Sequence, residues 1–183
     1  AVAAGLSTFG ENYVQEWTAK RAALAGVGAI DWHFIGRVQR NKANVVAEAS
    51  LVHSIDDPRI ATALAAVGER RGAPVRVLVQ VNLDGEATKG GISPAALPDF
   101  LAVLQERSGL QVEGLMAIPA PADPAAMRAR FAALRALRDR QADASRLPEL
   151  SMGMSADFEQ AIEEGATLVR VGTAIFGPRE RAT

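Results

Sequence analysis

Seven short β-like runs alternate with helical stretches along this chain, and no other feature of the sequence restricts its fold so strongly. The runs fall at residues 6–10, 32–36, 51–55, 75–82, 110–118, 149–152 and 168–171. Helical stretches fill the intervals, over about 13–24, 41–49, 58–71, 94–107, 124–144 and 156–164. Val75-Arg-Val-Leu-Val-Gln-Val-Asn82 has the strongest β character, from its repeated β-branched residues. Over 124–144, Met127, Phe131, Leu134 and Leu137 make one apolar stripe with Arg between, the pattern of a helix that packs on one side. Strand and helix in regular succession predict a parallel sheet, because neighbouring parallel strands need a crossover and a helix supplies it.

The strand count bears on architecture. A closed barrel of this kind uses eight strands and runs to about 250 residues. Residues 1–5, Ala-Val-Ala-Ala-Gly, read as the last turn of a helix closed by Gly5, which places one strand–helix unit upstream of Ala1. The competing open, doubly wound sheet carries its Gly-rich fingerprint after the first strand. Here the Gly-rich loops come last, where barrels hold phosphate. The expected fold is therefore an α/β, TIM-type barrel that lacks its first strand–helix unit, in a single N-terminally incomplete domain over residues 1–183.

Composition narrows the classes of function. A net charge of −1, with Arg scattered over the helices, argues against a polyanionic partner, so no nucleic acid is expected. Absence of Cys rules out disulfides and thiolate metal sites and fits a reducing cytoplasm. No apolar run reaches the roughly 20 residues of a membrane span, so no membrane role is expected. A 49% hydrophobic chain of 183 residues suits one substantial core.

Chemistry concentrates near the last two β-like runs. Ser151-Met152-Gly153-Met154-Ser155 and Arg170-Val171-Gly172-Thr173 each place Gly beside a hydroxyl where a helix can begin. Either loop alone reads more readily as a helix cap or turn, with Ser155 as a cap. Together, on the last two strands, they read as one phosphate site. Arg170 alternates with apolar neighbours, so its guanidinium points into the barrel mouth, toward a ligand or toward a structural carboxylate such as Glu11. His33 and His53 are too few for a three-His metal site and read as structural imidazoles. No Gly-x-Ser-x-Gly elbow supports a catalytic triad. Lys20 reads as surface, Lys42 opens a helix, and Lys89 lies in the Gly-rich loop 84–91.

Six segments carry a resemblance: Phe9-Gly-Glu-Asn12-Tyr-Val-Gln-Glu16, Trp32-His-Phe-Ile-Gly36 with Gln39-x-Asn41-Lys42, Lys89-Gly-Gly-Ile92, Gly114-Leu-Met-Ala-Ile-Pro119, Ser151-Met-Gly-Met-Ser155-x-Asp157 and Val171-Gly-Thr-Ala-Ile-Phe-Gly177. In order along residues 6 to about 178, they resemble the pyridoxal phosphate homeostasis proteins, relatives of the alanine racemase N-terminal domain. The resemblance implies the barrel fold and pyridoxal 5′-phosphate as cofactor. It implies that Ser155, the backbone at Met154, Gly172 and Thr173 hold the phosphate, that Arg170 faces the pyridine nitrogen, and that Asn12, Ser151 and Met152 line the ring. Lys89 is at most a secondary contact. The family's Schiff-base Lys belongs to a first strand, upstream of Ala1, and no Lys here matches it.

An Arg at the ring nitrogen leaves that nitrogen unprotonated and weakens carbanion stabilisation. The resemblance thus implies a protein without strong catalytic turnover, with no catalytic residue or metal in this chain. It implies binding, storage or delivery of the cofactor in the cytoplasm, as a monomer, with apo-enzymes as recipients and indirect effects on amino- and keto-acid balance. A racemase-like enzyme is the alternative, weakened because a racemase takes a catalytic Tyr from a second domain and Tyr13 is the single Tyr here. A barrel enzyme acting on a phosphorylated metabolite is the more distant one.

Overall fold

The computed structural model describes residues 1–86 and 88–178; Ala87 of the Gly-rich loop and residues 179–183 of the expected domain lie outside the described residues. Seven strands pair in chain order, all in parallel: β1 (Thr8–Glu11), β2 (Asp31–Phe34), β3 (Leu51–Ile55), β4 (Val75–Gln80), β5 (Leu110–Met116), β6 (Glu149–Met154) and β7 (Leu168–Arg170). Between and after them run α1 (Val14–Ala23), α2 (Ala43–Val46), α3 (Pro58–Arg71), α4 (Leu97–Gln105), α5 (Pro124–Asp139), α6 (Phe158–Glu163) and α7 (Thr173–Phe176). The start signals are local. Asp57 and Asp123 each precede a Pro at the first helical position, and their carboxylates accept from Arg59 N and Ala126 N.

The sheet curls into a nearly closed barrel. In a flat sheet β3 and β6, three places apart, would lie about 14 Å from one another. Instead His53 Nδ1 on β3 and Ser151 Oγ on β6 are hydrogen-bonded at 2.8 Å. The strand order leaves β1 and β7 as its two edges.

Period-two alternation sorts the apolar residues into two separate layers. Leu51, Leu78 and Met116, with Leu168 packed on them, fill the barrel interior. Their neighbours along the strands, Val52, Val77, Val79, Leu115 and Leu150, point outward and pack with Leu64, Leu104, Phe131 and Leu134 of the helices. Toward the strand N-termini the interior turns polar. There Arg76 makes a bidentate pair with the buried Glu113, Nε to Oε1 at 2.6 Å and Nη2 to Oε2 at 2.7 Å. Such fork geometry offsets the cost of desolvating a carboxylate.

The expected elements recur with shifted limits. The first strand begins at Thr8 rather than at residue 6. The helix expected over 41–49 is a 3₁₀ turn, Arg40–Lys42, followed by the single turn of α2. Ser50 N already donates to Trp32 O, at 2.9 Å, which draws the chain back to the sheet before more turns form. The helix expected over 124–144 stops at Asp139, and the Gln141 amide donates to the Leu137 carbonyl at 2.7 Å. Residues 1–5 do form a tight turn, 3₁₀ over Val2–Ala4, closed by Gly5 in the left-handed region.

Close approach fixes Gly36. Ile35 N donates to Glu11 O at 2.9 Å, and the Ser54 hydroxyl donates to Gly36 O, which presses Gly36 onto the Asn12 backbone. A Cβ at Gly36 would overlap the Asn12 carbonyl, whereas Gly26 has open space around it. Gly36→Ala is expected to cost about 1–3 kcal/mol as an overpacking change. Urea denaturation of Gly36→Ala beside Gly26→Ala checks this; equal midpoints would contradict it.

Candidate functional site

The mouth of the barrel is formed by the C-terminal ends of the strands, and Arg170 is its most constrained charge. It is the last residue of β7, and its guanidinium donates from Nη1 to Ser151 Oγ at 2.6 Å and from Nη2 to Ala117 O at 2.9 Å. Burial pushes its pKa down to about 10, opposed by the nearby Asp157 carboxylate, so it remains a cation at neutral pH. Glu11, the carboxylate considered as a structural partner, is instead paired with Lys20 of α1 at 2.6 Å.

Behind Arg170 lies a chain of buried polar groups. Ser151 is fully buried, and its Oγ meets His53 Nδ1 at 2.8 Å. His53 Nε2 meets His33 Nδ1 at 3.0 Å, and His33 Nε2 lies 3.4 Å from Asp31 Oδ2. Desolvation lowers the pKa of both imidazoles, that of His53 to about 2 with further lowering by His33 and Arg170; Asp31 opposes the shift at His33. Both are neutral. They are structural imidazoles, as the sequence reading has them, yet they are joined to the mouth by direct hydrogen bonds.

The loops after β6 and β7 meet at one atom. Ser155 Oγ accepts from Gly172 N at 3.1 Å and from Ala174 N at 3.3 Å, which sets Thr173, the first residue of α7, beside it. Gly153 makes the turn possible. Its φ is 88°, and a Cβ there would lie 2.5 Å from the Ala161 Cβ. Met154 N donates to Asp157 Oδ1 at 2.6 Å and Asp157 N returns a bond to Met154 O at 3.0 Å, which steadies the loop.

Other expected site residues are placed differently. Met152 is a correction: its side chain is fully buried in the layer between sheet and helices, because alternation along β6 sends Ser151 inward and Met152 outward. It cannot line a ring in the mouth. Asn12 is exposed after β1, over a rim hollow shared with Phe34, Arg37, Gln39 and Lys42. Lys89 is held by Asp84 at 3.4 Å and Glu86 at 3.3 Å, and Asp84 also receives Arg130 Nε at 3.0 Å. Among the described residues no cluster of three or more His, Cys, Asp or Glu is arranged to hold a metal, and no helix is long and apolar enough to cross a membrane.

The model of the alanine racemase N-terminal domain matches residues 1–180. The chain belongs to that family. Within it, this member is 48% identical to the pyridoxal phosphate homeostasis protein of Pseudomonas aeruginosa, over 98% of the chain and 78% of that relative. It is 43% identical to the protein of the same name in Aquifex aeolicus, over 96% and 78% of the two. Among solved structures, PipY of Synechococcus elongatus PCC7942 with PLP bound superposes with a TM-score of 0.88 at 39% identity, covering 97% of this chain and 84% of PipY. Alanine racemase of Bartonella henselae, at 15% identity and a TM-score of 0.73, covering 97% of this chain and 48% of the racemase, shares the fold.

Two measurements check this site. Because both imidazoles bind fewer protons folded than unfolded, their stability contribution is complete above the ordinary value of 6.5 and is lost as pH falls below it, for His53 down toward about 2. For His53, with its large shift, the slope approaches about 1.4 kcal/mol per pH unit within that window. Denaturant midpoints should fall from about pH 6.5 to pH 5, and His53→Leu should flatten the fall; the same slope in both proteins would contradict the neutral assignment. Ser155→Ala, which leaves Gly172 N and Ala174 N without their acceptor, should cost about 0.5–2 kcal/mol in thermal melts, with Thr173→Val close to silent.

Proposed function

We propose that this chain binds pyridoxal 5′-phosphate and acts in intracellular cofactor homeostasis, by binding, storing or delivering the cofactor, without strong catalytic turnover. The observation that carries the reading is Arg170, a charge held at the mouth by Ser151 and the Ala117 carbonyl. The residues fit the group. Ser155, Gly172 and Thr173 converge a short distance along the same two strands and would hold the phosphate, with the Met154 backbone beside them. Arg170, a donor without acceptor capacity, would face the ring nitrogen and keep it unprotonated. Ser151 would act through Arg170, and Asn12 would approach from the rim.

The bound cofactor supplies an electron sink for amino-acid chemistry, at its best when the ring nitrogen is protonated. Arg170, with its pKa still at about 10, does not deliver that proton, which favours the homeostasis reading over a racemase. The names of the relatives and the PipY complex support the same choice. Lys20 and Lys89 are tied to carboxylates. Lys42 lines the rim hollow beside Asn12 rather than the strand ends around Arg170, and we propose that the attaching amine lies on a further strand fitted between the edges β1 and β7. A cytoplasmic monomer that passes the cofactor to apo-enzymes completes the proposal.

The test is titration with pyridoxal phosphate, followed by absorbance and fluorescence. Ser155→Ala and Thr173→Val should each weaken binding by about three- to tenfold. Arg170→Leu should do so and shift the absorbance of the bound cofactor. Alanine racemisation should stay near background in a chain extended upstream, and peptide mapping after hydride reduction should recover an upstream Lys. Unchanged affinity in all three variants, or a dominant Lys89 adduct, would contradict the proposal.

A further inference from the structure

The buried polar chain behind Arg170 has an order that follows from its two ends. A guanidinium only donates and a carboxylate only accepts, so the hydrogens between Arg170 and Asp31 have one consistent arrangement. Arg170 Nη1 donates to Ser151 Oγ, and because the carboxylate end calls for hydrogen on His33 Nε2 and hence on His53 Nε2, the Ser151 proton goes to His53 Nδ1. His53, neutral and accepting at Nδ1, carries its hydrogen on Nε2 and donates to His33 Nδ1. His33 then carries its hydrogen on Nε2, toward Asp31 Oδ2. Every donor points the same way, from mouth to floor.

The surroundings sustain that order. His53 and Ser151 are buried to 2% and 0% exposure, so water cannot substitute for a missing partner. The charged groups acting on the two imidazoles come from β2 (Asp31), β4 (Arg76), β6 (Glu149) and β7 (Arg170), with Glu113 of β5 neutralising Arg76. The consequence lies at the mouth. With its proton committed to His53 and Arg170 on one lone pair, the Ser151 hydroxyl is fixed in orientation and holds the guanidinium against turning.

We propose that His53, backed by His33, is a positioning residue for Arg170: the one-way chain holds the guanidinium as a donor-only surface that selects a ring nitrogen bearing a lone pair over a protonated one. The proposal rests on the pyridoxal phosphate reading for its ligand, although the hydrogen order does not. His53→Asn keeps a side-chain acceptor toward Ser151, and His53→Leu removes it.

Two measurements separate these parts, the first on the 183-residue chain and the second, with ligand, on the chain extended upstream. Long-range ¹H–¹⁵N spectra of the ¹⁵N-His-labelled, ligand-free protein should show both imidazoles with hydrogen on Nε2 at about pH 8, with His53 unchanged down to about pH 6. Hydrogen on Nδ1 of either imidazole, or titration of His53 in that range, would overturn the proposal. Pyridoxal phosphate labelled with ¹⁵N in the ring should bind the unsubstituted protein with its nitrogen unprotonated. His53→Leu should weaken binding by about fivefold and move that ring-nitrogen signal, with recovery of both in His53→Asn. Unaltered affinity and signal in His53→Leu would overturn the positioning role. Failure of the unsubstituted protein to bind, beside the expected imidazole spectra, would instead reject the functional reading and the ligand selectivity with it.

Discussion

The guanidinium of Arg170 is the constraint around which the barrel mouth is organised. A cation on an inward strand position must find acceptors within the barrel, and here it takes one from the end of β5 and one from β6. Those bonds draw the C-terminal ends of β5, β6 and β7 together. The same ends carry the loops that meet at Ser155 Oγ, so the fixed cation and the hydroxyl- and amide-lined turn become parts of one surface.

The interior is layered accordingly. Nearest the strand N-termini, Arg76 and Glu113 satisfy each other in a bidentate pair. Leu51, Leu78, Met116 and Leu168 form an apolar plug, and the two imidazoles cross beside it to link floor and mouth. A barrel interior of this kind is a packed core with one polar seam. The seam is stable because each member has a partner; a half-satisfied chain in the same place would cost more than an apolar filling.

Much of the fold was legible because parallel strands covered on both faces read as β-branched runs, with Asp-Pro marking helix starts at Asp57 and Asp123. Limits were less legible where tertiary bonds override propensity, as at Ser50, whose bond to Trp32 O ends α2 after one turn. Period-two reading placed Arg170 inward, and the same rule applied along β6 would have sent Met152 outward. The histidines show the opposite case. Counting them excluded a three-His metal site, but their meeting depends on the curl that brings β3 against β6, which no local pattern encodes. The alternation of His53 with the inward Leu51 was the available signal.

A crystal structure of the protein with pyridoxal phosphate tests whether one cofactor spans these elements. The phosphate is expected against Ser155, Gly172 and Thr173, with the ring nitrogen within hydrogen-bond distance of the Arg170 guanidinium and Ser151 still between Arg170 and His53. A cofactor seated elsewhere, such as the rim hollow beside Asn12 and Lys42, or turned so that its ring nitrogen faces away from Arg170, would contradict it.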